Sequence, residues 1–93
     1  MVVGACAISL LIPGSASLKD KRRAVKGLLV RLRNEFGVSA AEVGDQGLWQ
    51  RAAIGLALVS NDSQVCDQVL SKAVEFVTRQ NSVELLDYKI EMR

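Results

Sequence analysis

The sequence predicts an α+β fold in which a four-stranded antiparallel sheet carries two helices on one of its faces. Three observations predict it. Val2–Ile12 and Arg51–Ser60 are apolar or small on both alternating faces, as strands in the middle of a sheet are. Two other segments, beginning near Leu18 and Val65, repeat their apolar residues at helical spacing. The resulting order is β-α-β-β-α-β, and right-handed crossovers place both helices on the same face. That order is the split βαβ, or ferredoxin-like, two-layer sandwich. The first and third strands are expected in the middle of the sheet.

Each element follows from local chemistry. Val2–Ile12 ends at Pro13-Gly14, and Pro13 to Ser17 form a loop. Ser17, with Asp20 three places on, is a capping signature for a helix. Leu18, Val25, Leu29, Leu32 and Phe36 then form one stripe, and Gly37 stops the helix. Val38–Gly44 reads as a short strand, and residues 45–50 as its connection to Arg51–Ser60. Asn61, Asp62 and Ser63 supply N-cap residues. Val65, Val69, Ala73, Phe76 and Val77 mark a second helix running to about Gln80. Val83–Met92 alternates, with Leu86, Tyr88, Ile90 and Met92 on one face and Asp87, Lys89 and Glu91 on the other. It reads as an edge strand with one wet face.

The 93 residues are read as a single domain spanning 1–93, with 49% hydrophobic residues to build its core. The longest uncharged apolar stretch, Met1–Leu18, is interrupted by Gly4, Pro13, Gly14 and three serines and has no basic start. It is neither a signal peptide nor a membrane helix in character. The expected location is the cytoplasm, with no membrane partner. Cys6 and Cys66 are distant in sequence and there is no histidine, so no metal site and no cofactor are expected. Both cysteines read as small, reduced, buried side chains. Without His, a Cys/His pair or a Ser/His/Asp set, the residues point away from an enzyme.

Charge is unevenly distributed. Seven of the 12 bases and two of the ten acids lie between Ser17 and Phe36, which leaves five bases and eight acids elsewhere. On a helical wheel Lys19, Arg22, Arg23, Lys26 and Arg33 share one outward arc. A basic ridge of this kind meets phosphates and positions a nucleic acid without reading its sequence. The expected central strands offer no aromatic side chains for stacking bases, so reading of single strands on the sheet is disfavoured. Structured RNA or the ribosome is one expected partner of the ridge; the alternatives are a solvated face, or pairing with the acidic remainder of a second subunit. Ser15, Ser17 and Lys19 sit where a loop enters a helix and form a candidate anion site, which an enzyme acting on a phosphorylated small molecule would use. The G-x-x-x-x-G-K-[ST] spacing of a P-loop is absent.

One face of the sheet is left without helices. Its expected residues include Val3, Ala5, Ala7, Ser9, Leu11, Ala53, Gly55, Ala57, Val59 and Leu85, small and apolar with few charges. Cys6, Ile8, Leu10, Ile54, Leu56, Leu58, Tyr88 and Ile90 are expected to face the helices. A bare apolar face predicts a homodimer or higher homo-oligomer, with Val3, Ala5, Ala7, Ala53, Gly55, Ala57 and Trp49 at the interface. Trp49, in the connection between the second and third strands, is expected to pack on its own domain or on another subunit. The alternative function class is accordingly an oligomeric interaction or small-anion-binding module.

Three segments carry a family resemblance. They are Ser17-Leu-Lys-Asp-Lys-Arg22, Glu42-Val-Gly-Asp-Gln-Gly-Leu-Trp-Gln-Arg-Ala52 and Val59-Ser-Asn-Asp62. They resemble the YlxP-like family, a bacterial domain-of-unknown-function family, and the resemblance covers essentially the whole chain. It implies the ferredoxin-like fold and brings no catalytic residues. Members are often encoded beside translation-initiation and ribosome-maturation factors, which implies a role near the ribosome or RNA.

Overall fold

The computed structural model describes residues 1–93. Its elements run β1 (Val2–Leu11), α1 (Leu18–Phe36), β2 (Ser39–Gly44), β3 (Arg51–Ser60), α2 (Ser63–Thr78) and β4 (Glu84–Met92). The sheet order is β2-β3-β1-β4 and every neighbouring pair is antiparallel, a ferredoxin-like arrangement with β1 and β3 central. The helix caps follow the sequence. Ser17 accepts the Asp20 amide at 3.1 Å and Asp62 accepts the Gln64 amide at 2.9 Å. Gly37 ends α1 at φ 64°, a left-handed conformation that glycine adopts without a Cβ penalty.

The core lies between the sheet and the two helices. Ile8 and Leu10 of β1 and Ile54 and Leu56 of β3 meet Val25, Leu28 and Leu32 of α1 and Leu70, Ala73 and Val77 of α2. Phe36 and Phe76 close the layer edge to face, with ring centroids 5.5 Å apart. Leu28 is fully buried although it lies off the expected stripe, because α1 packs on α2 as well as on the sheet.

Two bulges revise the expected faces. In β4, Ser9 pairs with Asp87 but Leu10 pairs with Leu85, so Leu86 is an extra residue. Leu85 was expected on the bare face; the bulge turns it to the helix side, where it packs on the core. Tyr88 does lie on the helix side, opposite Ile8, but the edge position leaves it 49% exposed. In β2, Val43 is the extra residue between Glu42 and Gly44. Val43 leans over Gly55 on the bare side, where a Cβ on residue 55 would stand 3.2 Å from Val43 Cγ1.

Gly4 marks the tightest helix–sheet approach. A Cβ there would lie 2.9 Å from Cys66 Cβ and 3.1 Å from Leu70 Cδ1. Leu70 can rotate, but Cys66 Cβ moves only with the α2 backbone. Gly4→Ala is therefore expected to cost about 1–3 kcal/mol through overpacking. Urea unfolding checks this, and a variant as stable as the parent would refute the close approach.

Candidate functional site

α1 has two chemically opposed sides. On the inner side Lys21 is wholly buried. Its ammonium donates to the backbone carbonyls of Asp45 at 2.7 Å, Gln46 at 3.2 Å and Arg51 at 3.3 Å. Those three bonds use all the N–H donors that lysine has. Glu42 Oε2 lies 3.0 Å from Nζ and supplies the countercharge; that buried oxygen has no aligned hydrogen bond of its own. Asp45, at φ 58°, is the one non-glycine residue in the left-handed region, and its carbonyl also receives the Leu48 amide. Lys21 thus joins the first turn of α1 to both ends of the β2–β3 connection. By its helical position Lys21 lies toward the apolar stripe, with its stem along the core edge. Its partners were not expected, because three of them are backbone groups that carry no side-chain signal.

On the outer side Lys19, Arg22, Arg23 and Lys26 are exposed. None of them takes part in the chain's four ion pairs. Lys19 to Lys26 spans two helical turns, roughly 10 Å at 1.5 Å per residue. Arg33 shares the arc, but its guanidinium donates to the Ala40 carbonyl and ties the end of α1 to β2. The free ridge therefore comprises four cations, with Arg33 serving the fold beyond its far end.

The candidate anion site has a different character. Ser15 is buried and its hydroxyl donates to the Ser17 carbonyl at 3.0 Å. The Ser17 hydroxyl caps Asp20, and the Asp20 carboxylate in turn accepts the Ala16 amide at 3.3 Å. Gln50 holds the same loop by donating to the Ser15 carbonyl at 3.1 Å. The depression beside the loop, about 280 Å³, has the Asp20 carboxylate as its only charged lining group. Lys19 is exposed and does not line this depression. The loop's two serine hydroxyls are engaged within the chain.

The bare sheet face carries Val3, Ala5, Ala7, Ala53, Gly55 and Ala57, as expected from alternation. Trp49 is not buried in its own domain. It is 57% exposed beside exposed Leu48, because Gln50 and Ile12 anchor the connection through the backbone and leave the tip outside. Along β4 the same face presents Asp87, Lys89, Glu91 and Arg93. Arg93 donates to Glu91 at 2.9 Å and Lys89 pairs with it at 3.0 Å, which together hold the Glu91 carboxyl below the usual carboxylate range.

No three His, Cys, Asp or Glu side chains gather where they could hold a metal ion, and no helix is long and apolar enough to cross a membrane. Cys6 is 2% exposed, and burial pushes its thiol up to about 11, against a smaller opposing effect of a backbone hydrogen bond from Lys89. An acid whose pKa is higher folded than unfolded keeps its proton longer in the folded state. Stability is then full below the unfolded value near 9 and falls as pH rises toward 11. The loss is expected to reach roughly 2–3 kcal/mol. Comparing urea stability between pH 8 and 11 in the parent and in Cys6→Ala isolates it, and identical pH slopes would count against it.

The family described as "Protein of unknown function (DUF503)" matches residues 3–90. An uncharacterised protein of Bacillus subtilis (strain 168), YlxP, is 34% identical over 76 residues, which is 82% of this chain and 83% of that protein. Among solved structures, a dimeric ferredoxin-like protein from an uncultured marine organism superimposes with a TM-score of 0.52 at 8% identity, covering 100% of this chain and 94% of that one. A VAO-type flavoprotein from Myceliophthora thermophila reaches 0.59 at 14% identity, but the 99% of this chain that aligns spans only 16% of the flavoprotein. At these identities the structural likenesses speak to fold alone.

Proposed function

The chain belongs to the DUF503 family, and from that premise we propose that it is a non-catalytic cytoplasmic accessory protein that contacts structured RNA, free or within the ribosome, through the outer face of α1. One observation carries the reading: Lys19, Arg22, Arg23 and Lys26 stand exposed on one helical arc with no acidic partner in the chain. Clustered like charges at i, i+3 and i, i+4 destabilise an isolated helix slightly, so the fold itself gains nothing from them. A polyanion relieves that repulsion and releases counterions as it binds. The ridge lies opposite Lys21, whose bonds to the β2–β3 connection hold α1 in register and present the cations as one rigid surface. Contacts of this kind recognise the spacing and shape of phosphates, not base sequence.

Co-purification from native lysate tests the reading. At about 50 mM salt the protein is expected to retain RNA, and raising salt to about 200 mM should weaken binding roughly 100-fold for four phosphate contacts. Protein free of RNA at every salt concentration would overturn it.

A further inference from the structure

We propose that a second copy of this chain covers the bare sheet face, stacked sheet on sheet about a two-fold axis that crosses the strands between Ala5 and Ala7. The proposal is independent of RNA binding and rests on the order of charges along β4. The register sets Arg93 beside Val3, Glu91 beside Ala5, Lys89 beside Ala7 and Asp87 beside Ser9, all on this face. The signs along the strand are therefore minus, plus, minus, plus from Asp87 to Arg93. A two-fold axis at the level of Ile90 reverses the strand onto its own copy. It brings Lys89 to the partner's Glu91 and Asp87 to the partner's Arg93. Every contact is between opposite charges, and each occurs twice, as a self-complementary interface requires.

The same axis suits the remaining strands. Ile90 pairs with Cys6 and Cys6 with Leu56, so the axis passes between Gly55 and Ala57 in β3. In β2 it passes between Ser39 and Ala41, the partners of Ala57 and Gly55. Small side chains thus surround the axis, and two sheets can approach closely there, aligned to within the ~30° that sheet twist imposes. A shallow depression of about 310 Å³ runs between Ala5, Ala7 and Gly55 and the Lys89–Glu91–Arg93 stripe, where long partner side chains can lie. At ~3.3 Å per residue and ~4.8 Å per strand the face offers on the order of 550 Å² per copy. Doubled, that reaches the ~1,000 Å² at which specific association begins. In the free chain the β4 charges pair only along their own strand, exposed to water, where such pairs contribute little. Both copies of α1 remain on the outside of such a dimer.

Sedimentation equilibrium across micromolar concentrations tests the proposal. The parent is expected to dimerise, and Ala57→Arg, at the centre of the face, should abolish the dimer. Lys89→Glu should weaken it at least tenfold, by setting like charges opposite each other twice, and adding Glu91→Lys should restore most of the affinity. Circular dichroism and the thermal midpoint confirm that each variant is folded. A parent that stays monomeric at several hundred micromolar overturns the proposal. So does a dimer that survives Ala57→Arg, which would place the contact elsewhere, or a charge swap that fails to rescue Lys89→Glu. Arg22→Glu/Arg23→Glu/Lys26→Glu should dimerise like the parent, which keeps the outcome separate from that for RNA.

Discussion

Lys21→Ala is expected to destabilise the molecule by about 3–5 kcal/mol. Removing the ammonium leaves Glu42 as a carboxylate with no countercharge and strips a donor from three carbonyls, those of Asp45, Gln46 and Arg51. Each loss alone costs about 1–3 kcal/mol when the orphaned group stays dry. Relaxation of the β2–β3 connection toward solvent limits the sum. For a chain of this size the thermal midpoint should fall by tens of degrees, at roughly 4–8 °C per kcal/mol. Lys21→Met with Glu42→Leu separates the contributions. It removes both charges and keeps apolar volume, so it should recover part of the loss while the three carbonyls still lack the lysine donor. Differential scanning calorimetry of the two variants checks this. A Lys21→Ala midpoint within about 5 °C of the parent would show that the cluster contributes little.

Arg22→Glu with Arg23→Glu and Lys26→Glu should eliminate RNA binding while leaving the fold in place. Three contacts are lost and three repulsions are introduced, so affinity is expected to fall by more than 100-fold at low salt, and the salt dependence of the residue should flatten. The same change leaves every ion pair in the chain intact, because none involves these side chains. The thermal midpoint should therefore stay within a few degrees of the parent, since exposed substitutions of this kind change stability by about 0.5 kcal/mol each. Filter binding on total RNA at two salt concentrations reads the effect. Undiminished binding would move the RNA contact off α1, and a collapsed midpoint would show that the ridge serves the fold.

Much of this was legible before any coordinates. The switch from alternation in β1 to helical spacing after Ser17 determines the layer that each apolar residue enters, because a strand and a helix bury different periods. The outward arc of Lys19, Arg22, Arg23 and Lys26 follows from the same geometry. Leu85 lies on the opposite face to the one that alternation predicts, and Tyr88 and Trp49 are more exposed than large side chains usually are, each for a local reason. A single extra residue at Leu86 inverts the face of what precedes it in β4. Tyr88 is on the expected side but lies on an edge strand, with no neighbour beyond it. Trp49 is large and apolar, which argues for packing, yet the connection is held by backbone bonds on either side of it. Arg33 shows the converse: it belongs to the arc by wheel position, but the start of β2 lies within reach of its guanidinium.

By itself the sequence determined the element order, the central pair of strands, the caps at Ser17 and Gly37, and the basic arc of α1. These depend on periodicity and on short-range hydrogen bonding, which residue types encode directly. Only the tertiary structure decided what Lys21 binds, which cations stay free and which charges share the bare face. A lysine's partners here are carbonyls, whose direction depends on a left-handed turn at Asp45 and on the docking of α1 against the connection that turn begins. The alternating signs of β4 become self-complementary only once the register with β1 puts Asp87, Lys89, Glu91 and Arg93 on one side. Such facts depend on pairs of residues far apart in the chain, and no local pattern contains them.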